Sequence, residues 1–231
     1  MIEFNQVVKR YGKVTALDGV TVTFPKGKII GLFGPNGAGK STSLKMIAGL
    51  SRPQSGTVVV DGKNPQEVKD KIAYLPEIDY LYPWMTVKKA ADFVKTFYSD
   101  WDDDKYKELL AFLNLGEDMK INKISKGQRA KVKLLLATSR KAPYLLLDEP
   151  LSGIDILTRE EIINTLIRDY REGEQTIIIS THEIAEVENL VEEVIFIARG
   201  RILLKQNAEE LRLNEGKSLT EMMKELFRDA N

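Results

Sequence analysis

The sequence predicts an α/β fold built on a mostly parallel sheet covered by helices, and three observations predict it. Short, continuously apolar runs at residues 29–33, 144–147 and 176–180 read as strands buried on both faces. Between such strands lie segments with apolar residues at three- and four-residue spacing, so strand and helix alternate. The run at 29–33 leads straight into a glycine-rich turn and a helix.

Taken in order, residues 2–8 and 14–24 are expected to be strands, as is 29–33. A helix follows over 41–50, then a β-branched strand at 57–60 that stops at the turn dipeptide Asp61-Gly62. After a strand at 72–75 the chain turns helical over 86–98, 105–115 and 126–137. Strands at 144–147 and 176–180 flank a helix at 159–170. A helix is expected over 183–190, strands at 194–198 and 202–205, and an amphipathic helix at 219–228. The pairs Leu109/Leu110 and Phe112/Leu113 read as packing on a helix face, and Asp102-Asp103-Asp104 as a helix start. No internal repeat or low-complexity linker interrupts this order.

Composition narrows the function. The 231 residues suffice for one large α/β domain, with 43% hydrophobic and 29% charged residues typical of a water-soluble globular chain. Lysine plus arginine (34) balances aspartate plus glutamate (34), so no global field recruits nucleic acid, and no nucleic-acid partner is expected. Without cysteine there is neither disulfide nor thiolate zinc site. The first residues lack an apolar signal core, and no uncharged run nears the roughly 20 residues of a spanning helix. Any work at a membrane therefore requires a span from another chain.

The sharpest chemical signal is Gly34-Pro35-Asn36-Gly37-Ala38-Gly39-Lys40-Ser41-Thr42, the G-x-x-x-x-G-K-[ST] phosphate loop in its strand-to-helix setting. Its glycines let successive N–H groups turn inward on a triphosphate, and the helix start adds unpaired N–H groups. Lys40 is expected to reach the outer phosphates and the Ser41 hydroxyl to bind Mg²⁺. Asn122-Lys123-Ile124-Ser125 lacks the carboxylate with which GTPases read guanine. Further on, the strand 144–147 ends in Asp148-Glu149-Pro150. Alone, such a segment would serve equally as a strand terminator. After a phosphate loop, one acid is placed to hold Mg²⁺ and the next to polarise the attacking water.

The remaining motifs resemble those of ATP-binding cassette (ABC) ATPases, in their order and over about residues 2–205. Tyr11 resembles the aromatic loop that stacks on adenine, although it would also serve as a plain strand-end aromatic. Ile124-Ser125-Lys126-Gly127-Gln128 stands where the signature L-S-G-G-Q belongs, and Ser152-Gly153-Ile154-Asp155 is similar to the D-loop. His182, the sole histidine, falls where the switch histidine does. Two positions depart from the pattern: Glu77 replaces a glutamine near the metal, and Lys126 replaces the first signature glycine. Both departures resemble the branch that exports drugs, peptides or polysaccharides.

The resemblance implies an ATPase domain over 1–205, a P-loop NTPase parallel-sheet core with an N-terminal antiparallel β subdomain. A helical signature subdomain at about 84–136 and a C-terminal helical tail at 206–231 complete it. Implied roles are Glu149 as base, His182 on the γ-phosphate, and Ser41, Glu77 and Asp148 at Mg²⁺. ATP is implied to lie between Tyr11 and the loop of one chain and Ser125, Gly127 and Gln128 of a second. A membrane permease would dock near 77–85, placing the chain at the cytoplasmic face of the membrane. Soluble ABC proteins of DNA repair or translation, and a low-turnover partner subunit, are the alternatives. The former usually carry long insertions or two cassettes, and neither occurs here.

Overall fold

The computed structural model describes residues 1–229. Nine strands run β1 (Ile2–Tyr11), β2 (Val14–Phe24), β3 (Ile29–Phe33), β4 (Ser55–Val60), β5 (Ile72–Leu75), β6 (Tyr144–Asp148), β7 (Thr176–Thr181), β8 (Glu193–Ala198) and β9 (Arg201–Asn207). Seven helices are α1 (Lys40–Ile47), α2 (Val87–Phe97), α3 (Asp103–Phe112), α4 (Lys126–Thr138), α5 (Ile156–Asp169), α6 (Ala208–Glu215) and α7 (Leu219–Asp229).

Two sheets result. The six-stranded one has order β5-β6-β7-β3-β8-β9, parallel except for β9, which turns back antiparallel to β8. Its strands read as unbroken apolar runs because neighbouring residues bury on opposite faces. Ile29, Phe33, Leu145, Leu147, Ile177 and Ile179 enter one core, and Ile30, Leu32, Leu146 and Ile178 enter the other. Helices α4, α5, α6 and α7 wall the first core, and α1 with strands β1, β2 and β4 walls the second. The second sheet, β2-β1-β4, is antiparallel and buries one face only, through Ile2, Phe4, Val7, Leu17, Val20 and Phe24. At its β1–β2 hairpin Tyr11 pairs with Val14, and Gly12 takes a positive φ of 57°.

A third core, containing Leu81, Val87, Leu109, Leu113, Val132 and Leu135, lies among α2, α3 and α4. Helix α4 serves two cores at once, since Leu134 and Ala137 pack against the main sheet. Side-chain caps start these helices: Thr86 accepts from the Lys89 N–H and Asp102 from those of Asp104 and Lys105. The acidic run at 102–104 is thus a helix start, as expected.

Two expectations near the C-terminal third change. The stretch 183–190 contains a single 3-10 turn, Ile184–Glu186, in place of the expected helix. Ile184, Val187 and Val191 are indeed buried, but successive tight turns bring them to the core, with Val187 N–H donating to Ile184 and Leu190 N–H to Val187. Buried residues at three- and four-residue spacing are thus reached here without an α-helix. Conversely, the C-terminal helical tail holds a second helix, α6, ahead of the one expected at 219–228. It is polar, and Asn207 starts it by accepting from the Glu209 and Glu210 N–H groups. The amphipathic tail helix is present as α7, with Leu219 and Met222 buried and Phe227 edge-on to Phe196 at 6.3 Å.

Candidate nucleotide site

The sheet order decides where the chemistry gathers. Because β7 lies between β3 and β6, the carboxyl ends of all three strands are neighbours, with Phe33 opposite Thr181 and Asp148 opposite Ser180. The phosphate loop leaves β3 there, the two acids close β6, and His182 follows β7.

The loop has the conformation its glycines predict. Gly39 has φ 113°, and a Cβ there would lie 2.5 Å from the Ala16 carbonyl oxygen. At Gly34 an added Cβ would meet the Ile197 carbonyl at 2.2 Å. Neither position accepts a side chain, whereas Gly37 (φ 78°) faces open space where a ligand can approach. The Lys40 ammonium is 5% exposed and turns into the loop. It donates to the carbonyls of Gly34 at 2.7 Å and Pro35 at 3.3 Å.

Asp148 is 1% exposed and accepts three hydrogen bonds. Ser41 Oγ donates at 2.9 Å, Ser180 Oγ at 2.7 Å and Tyr74 OH at 3.1 Å. Burial, then the Asp148 charge, pushes the Tyr74 phenol far up, so it stays a donor. Glu149 adopts a left-handed φ of 47°, unusual for a side chain of its kind. Its Oε2 is 3.0 Å from His182 Nδ1. Its Oε1 lies 3.1 Å from Lys40 Nζ, yet is buried without an aligned hydrogen-bond donor. The free acceptor of the carboxylate can take a hydrogen bond from a water, while the buried lysine beside it suits an anionic group.

A cavity of about 480 Å³ joins these groups. Asn36 through Thr42, Glu77, Glu149, Ser152 and His182 line it, with Val14 and Ala16. Glu77 thus lines the same cavity as residues 36–42 of the phosphate loop. Among the described residues no three His, Cys, Asp or Glu side chains cluster as a metal cage. Ser41 and Asp148 offer instead two hard oxygen donors beside the phosphate loop. That set fits a cation that takes its remaining ligands from phosphate and water.

Tyr11, Ser125, Gly127 and Gln128, all expected at the nucleotide, do not line this cavity. Tyr11 is 51% exposed at the hairpin, with Lys9 Nζ 5.2 Å above its ring. Ser125 and Gln128 cap α4 reciprocally, Ser125 Oγ accepting from Gln128 N–H and Gln128 Oε1 from Ser125 N–H. Gly127 packs so closely on the start of α5 that a Cβ would come within 2.9 Å of Thr158 Oγ1. The sequence reading missed Tyr74 and Ser180 as site residues, and noted Ser152 only within the D-loop-like segment. Strand register is the signal that finds the first two, since both belong to strands flanking the one that carries Asp148.

A phosphate loop, a buried acid pair and a histidine at the carboxyl ends of parallel strands define a P-loop nucleoside-triphosphatase site. A sequence profile of the family described as ABC transporter matches residues 17–152. The chain is 30% identical to the ABC transporter ATP-binding protein YtrB of Bacillus subtilis, over 92% of this chain and 74% of that protein. It is 34% identical to the aliphatic sulfonates import ATP-binding protein SsuB of Zymomonas mobilis, over 87% of this chain and 83% of that one. Among solved structures, an ATP-binding subunit of an ABC transporter superposes with a TM-score of 0.86 at 27% identity, covering 98% and 99% of the two chains. A dimeric bacterial ABC transporter cassette superposes with a TM-score of 0.80 at 25% identity, covering 90% and 99%. The chain belongs to the ABC transporter family, as an ATP-binding and ATP-hydrolysing subunit.

Proposed function

We propose that two copies of this chain, or this chain and a homologue, close head to tail around ATP and thereby drive a separate membrane permease. One observation carries the two-chain reading. Ser125, Gly127 and Gln128 do not line the cavity that holds the phosphate loop, so an anion-binding helix start is left for the nucleotide of another subunit. The dimeric cassette among the structural neighbours supports it.

In this reading Lys40 exchanges two neutral carbonyls for the outer phosphates, and the backbone of residues 34–42 wraps them. Tyr11 stacks on adenine. Ser41, Asp148 and Glu77 hold Mg²⁺, which neutralises charge on the phosphate oxygens. Glu149 accepts a proton from water as the water oxygen bonds to the γ-phosphorus and the bond to the bridging oxygen breaks, giving ADP and phosphate. His182 orients Glu149 and contacts the γ-phosphate. Closure is favoured only as far as ATP binds the closed dimer more tightly than the open one.

The ATPase domain spans 1–205, with a signature subdomain at about 84–136 and the tail beyond 205. No helix among the described residues is long and apolar enough to cross a membrane. In this reading the permease is a separate chain, and this one docks on it from the cytoplasmic side. A groove of about 630 Å³ beside Ile78, Tyr80, Phe93 and Phe97 receives that partner. Tyr82 and Trp84 next to it stack at 5.8 Å yet stay 50% and 65% exposed. Glu77 and Lys126 support the export branch. Import ATP-binding proteins are among the relatives, so vesicle transport assays decide direction. Tagged protein should co-purify with a multi-span membrane protein. Recovery with ribosomes or DNA alone would instead support the soluble alternative.

A further inference from the structure

Lys133 is a charged residue in an apolar stretch of α4, between Val132 and Leu134-Leu135-Leu136, and is only 8% exposed. Its ammonium has three N–H donors and three acceptors: the carbonyls of Pro76 at 2.6 Å, Glu77 at 3.1 Å and Ile78 at 3.1 Å. Burial pulls its pKa down, a cost that a leucine at this site would not carry. One turn earlier on the same helix face, Arg129 pairs with Asp79 at 2.6 Å. Helix α4 therefore grips the whole 76–79 segment, whose Glu77 side chain lines the nucleotide cavity. The same helix carries Ser125 and Gly127 at its start.

We propose that Lys133 is a positioning residue of the ATPase site, tying the 76–78 backbone to α4 so that Glu77 and the signature shift as one body. The proposal rests on the two-chain reading. Nucleotide contact at Glu77 then sets the placement of Ser125 and Gly127 towards the second subunit. Lysine does this where a methionine of similar volume would not, because only the ammonium fixes three successive carbonyls at once.

The test uses the full chain carrying Glu149→Gln, with MgATP as the probe. Lys133→Met and Asp79→Asn are each added, the second leaving the Leu81 N–H contact to Asp79 possible. ATP affinity is measured by calorimetry below the dimerising concentration, and the monomer–dimer constant by analytical ultracentrifugation. Lys133→Met should leave ATP affinity within about threefold and weaken ATP-driven dimerisation at least tenfold. Asp79→Asn should weaken it less. Lys133→Cys should regain dimerisation after aminoethylation, which rebuilds an ammonium at nearly the lysine length. A folded Lys133→Met chain that dimerises like its parent overturns the proposal. So does an equal loss of ATP affinity and dimerisation, which marks a mere scaffold residue. Should Lys133→Met not fold, unchanged dimerisation of Asp79→Asn and of unmodified Lys133→Cys overturns it. If the Glu149→Gln parent fails to dimerise with ATP, the two-chain reading falls first and takes this role with it.

Discussion

Glu149 Oε2 and His182 Nδ1 are 3.0 Å apart, and the other Glu149 oxygen lies 3.1 Å from Lys40 Nζ. The carboxylate is thus held between the histidine after β7 and the lysine of the phosphate loop, with its backbone in a left-handed conformation. A merely structural strand end needs none of this. Glu149→Gln keeps the shape and the contact to His182 while removing the base. ATP hydrolysis should fall by about 10²–10⁴-fold, the range of general-base losses. Equilibrium binding of ATP should persist, and a dimer should accumulate with ATP in size-exclusion chromatography. Hydrolysis at the parent rate would remove Glu149 from the role.

Tyr11 tests base recognition. Its ring is exposed at the hairpin beside Lys9 and outside the phosphate cavity, as a stacking platform would be. Tyr11→Ala should cost about 1–3 kcal/mol of nucleotide affinity, by analogy with base stacking on aromatic side chains. ATP and GTP should weaken alike, because stacking reads a ring face and not its edge. Unchanged affinities in calorimetry would return Tyr11 to the hairpin as a packing residue.

Most of this site was legible in the sequence because its parts are short motifs with their own mechanics. The glycines at 34, 37 and 39, the lysine and serine after them, and the acids at 148–149 needed only the correct strand and helix around them. Tyr74 and Ser180 were not legible, since a hydrogen bond to Asp148 depends on which strands are neighbours. Lys133 resisted for a related reason: on a helix rich in leucine it reads as a solvent-facing lysine until the 76–78 carbonyls close over it. The stretch 183–190 differs from expectation because successive tight turns bury Ile184 and Val187, an arrangement set by packing against the sheet.

Acid stability is set in part by Glu192, far from the chemistry. It accepts from Lys28 Nζ at 2.7 Å, the Ile29 N–H at 2.9 Å and Tyr170 OH at 2.9 Å, fastening the start of β3. Burial raises its pKa, but the bonds from Lys28, Ile29 and Tyr170 outweigh that and hold it below the usual glutamate value. With the folded value below the unfolded one, this contribution is complete above the ordinary carboxylate range and is lost as pH falls through the depressed value. Glu192→Gln should cost about 1–2 kcal/mol at pH 7 and flatten the loss of stability below pH 5. Urea midpoints across pH check it; a parallel acid profile in the variant would contradict it.

The two-chain site is tested most directly by complementation of two inactive variants. A Ser125→Arg chain keeps its own phosphate loop but presents a bulky side chain where a partner's γ-phosphate should sit. A Lys40→Ala chain has the opposite defect. Mixed heterodimers carry both lesions at one site and neither at the other. The account predicts that each variant alone hydrolyses ATP poorly, and that the mixture regains part of the lost activity. The recovered rate should climb with total protein concentration, since the competent species is a dimer. A Ser125→Arg chain hydrolysing ATP at the full parent rate on its own would contradict the assignment of the signature to the partner's nucleotide.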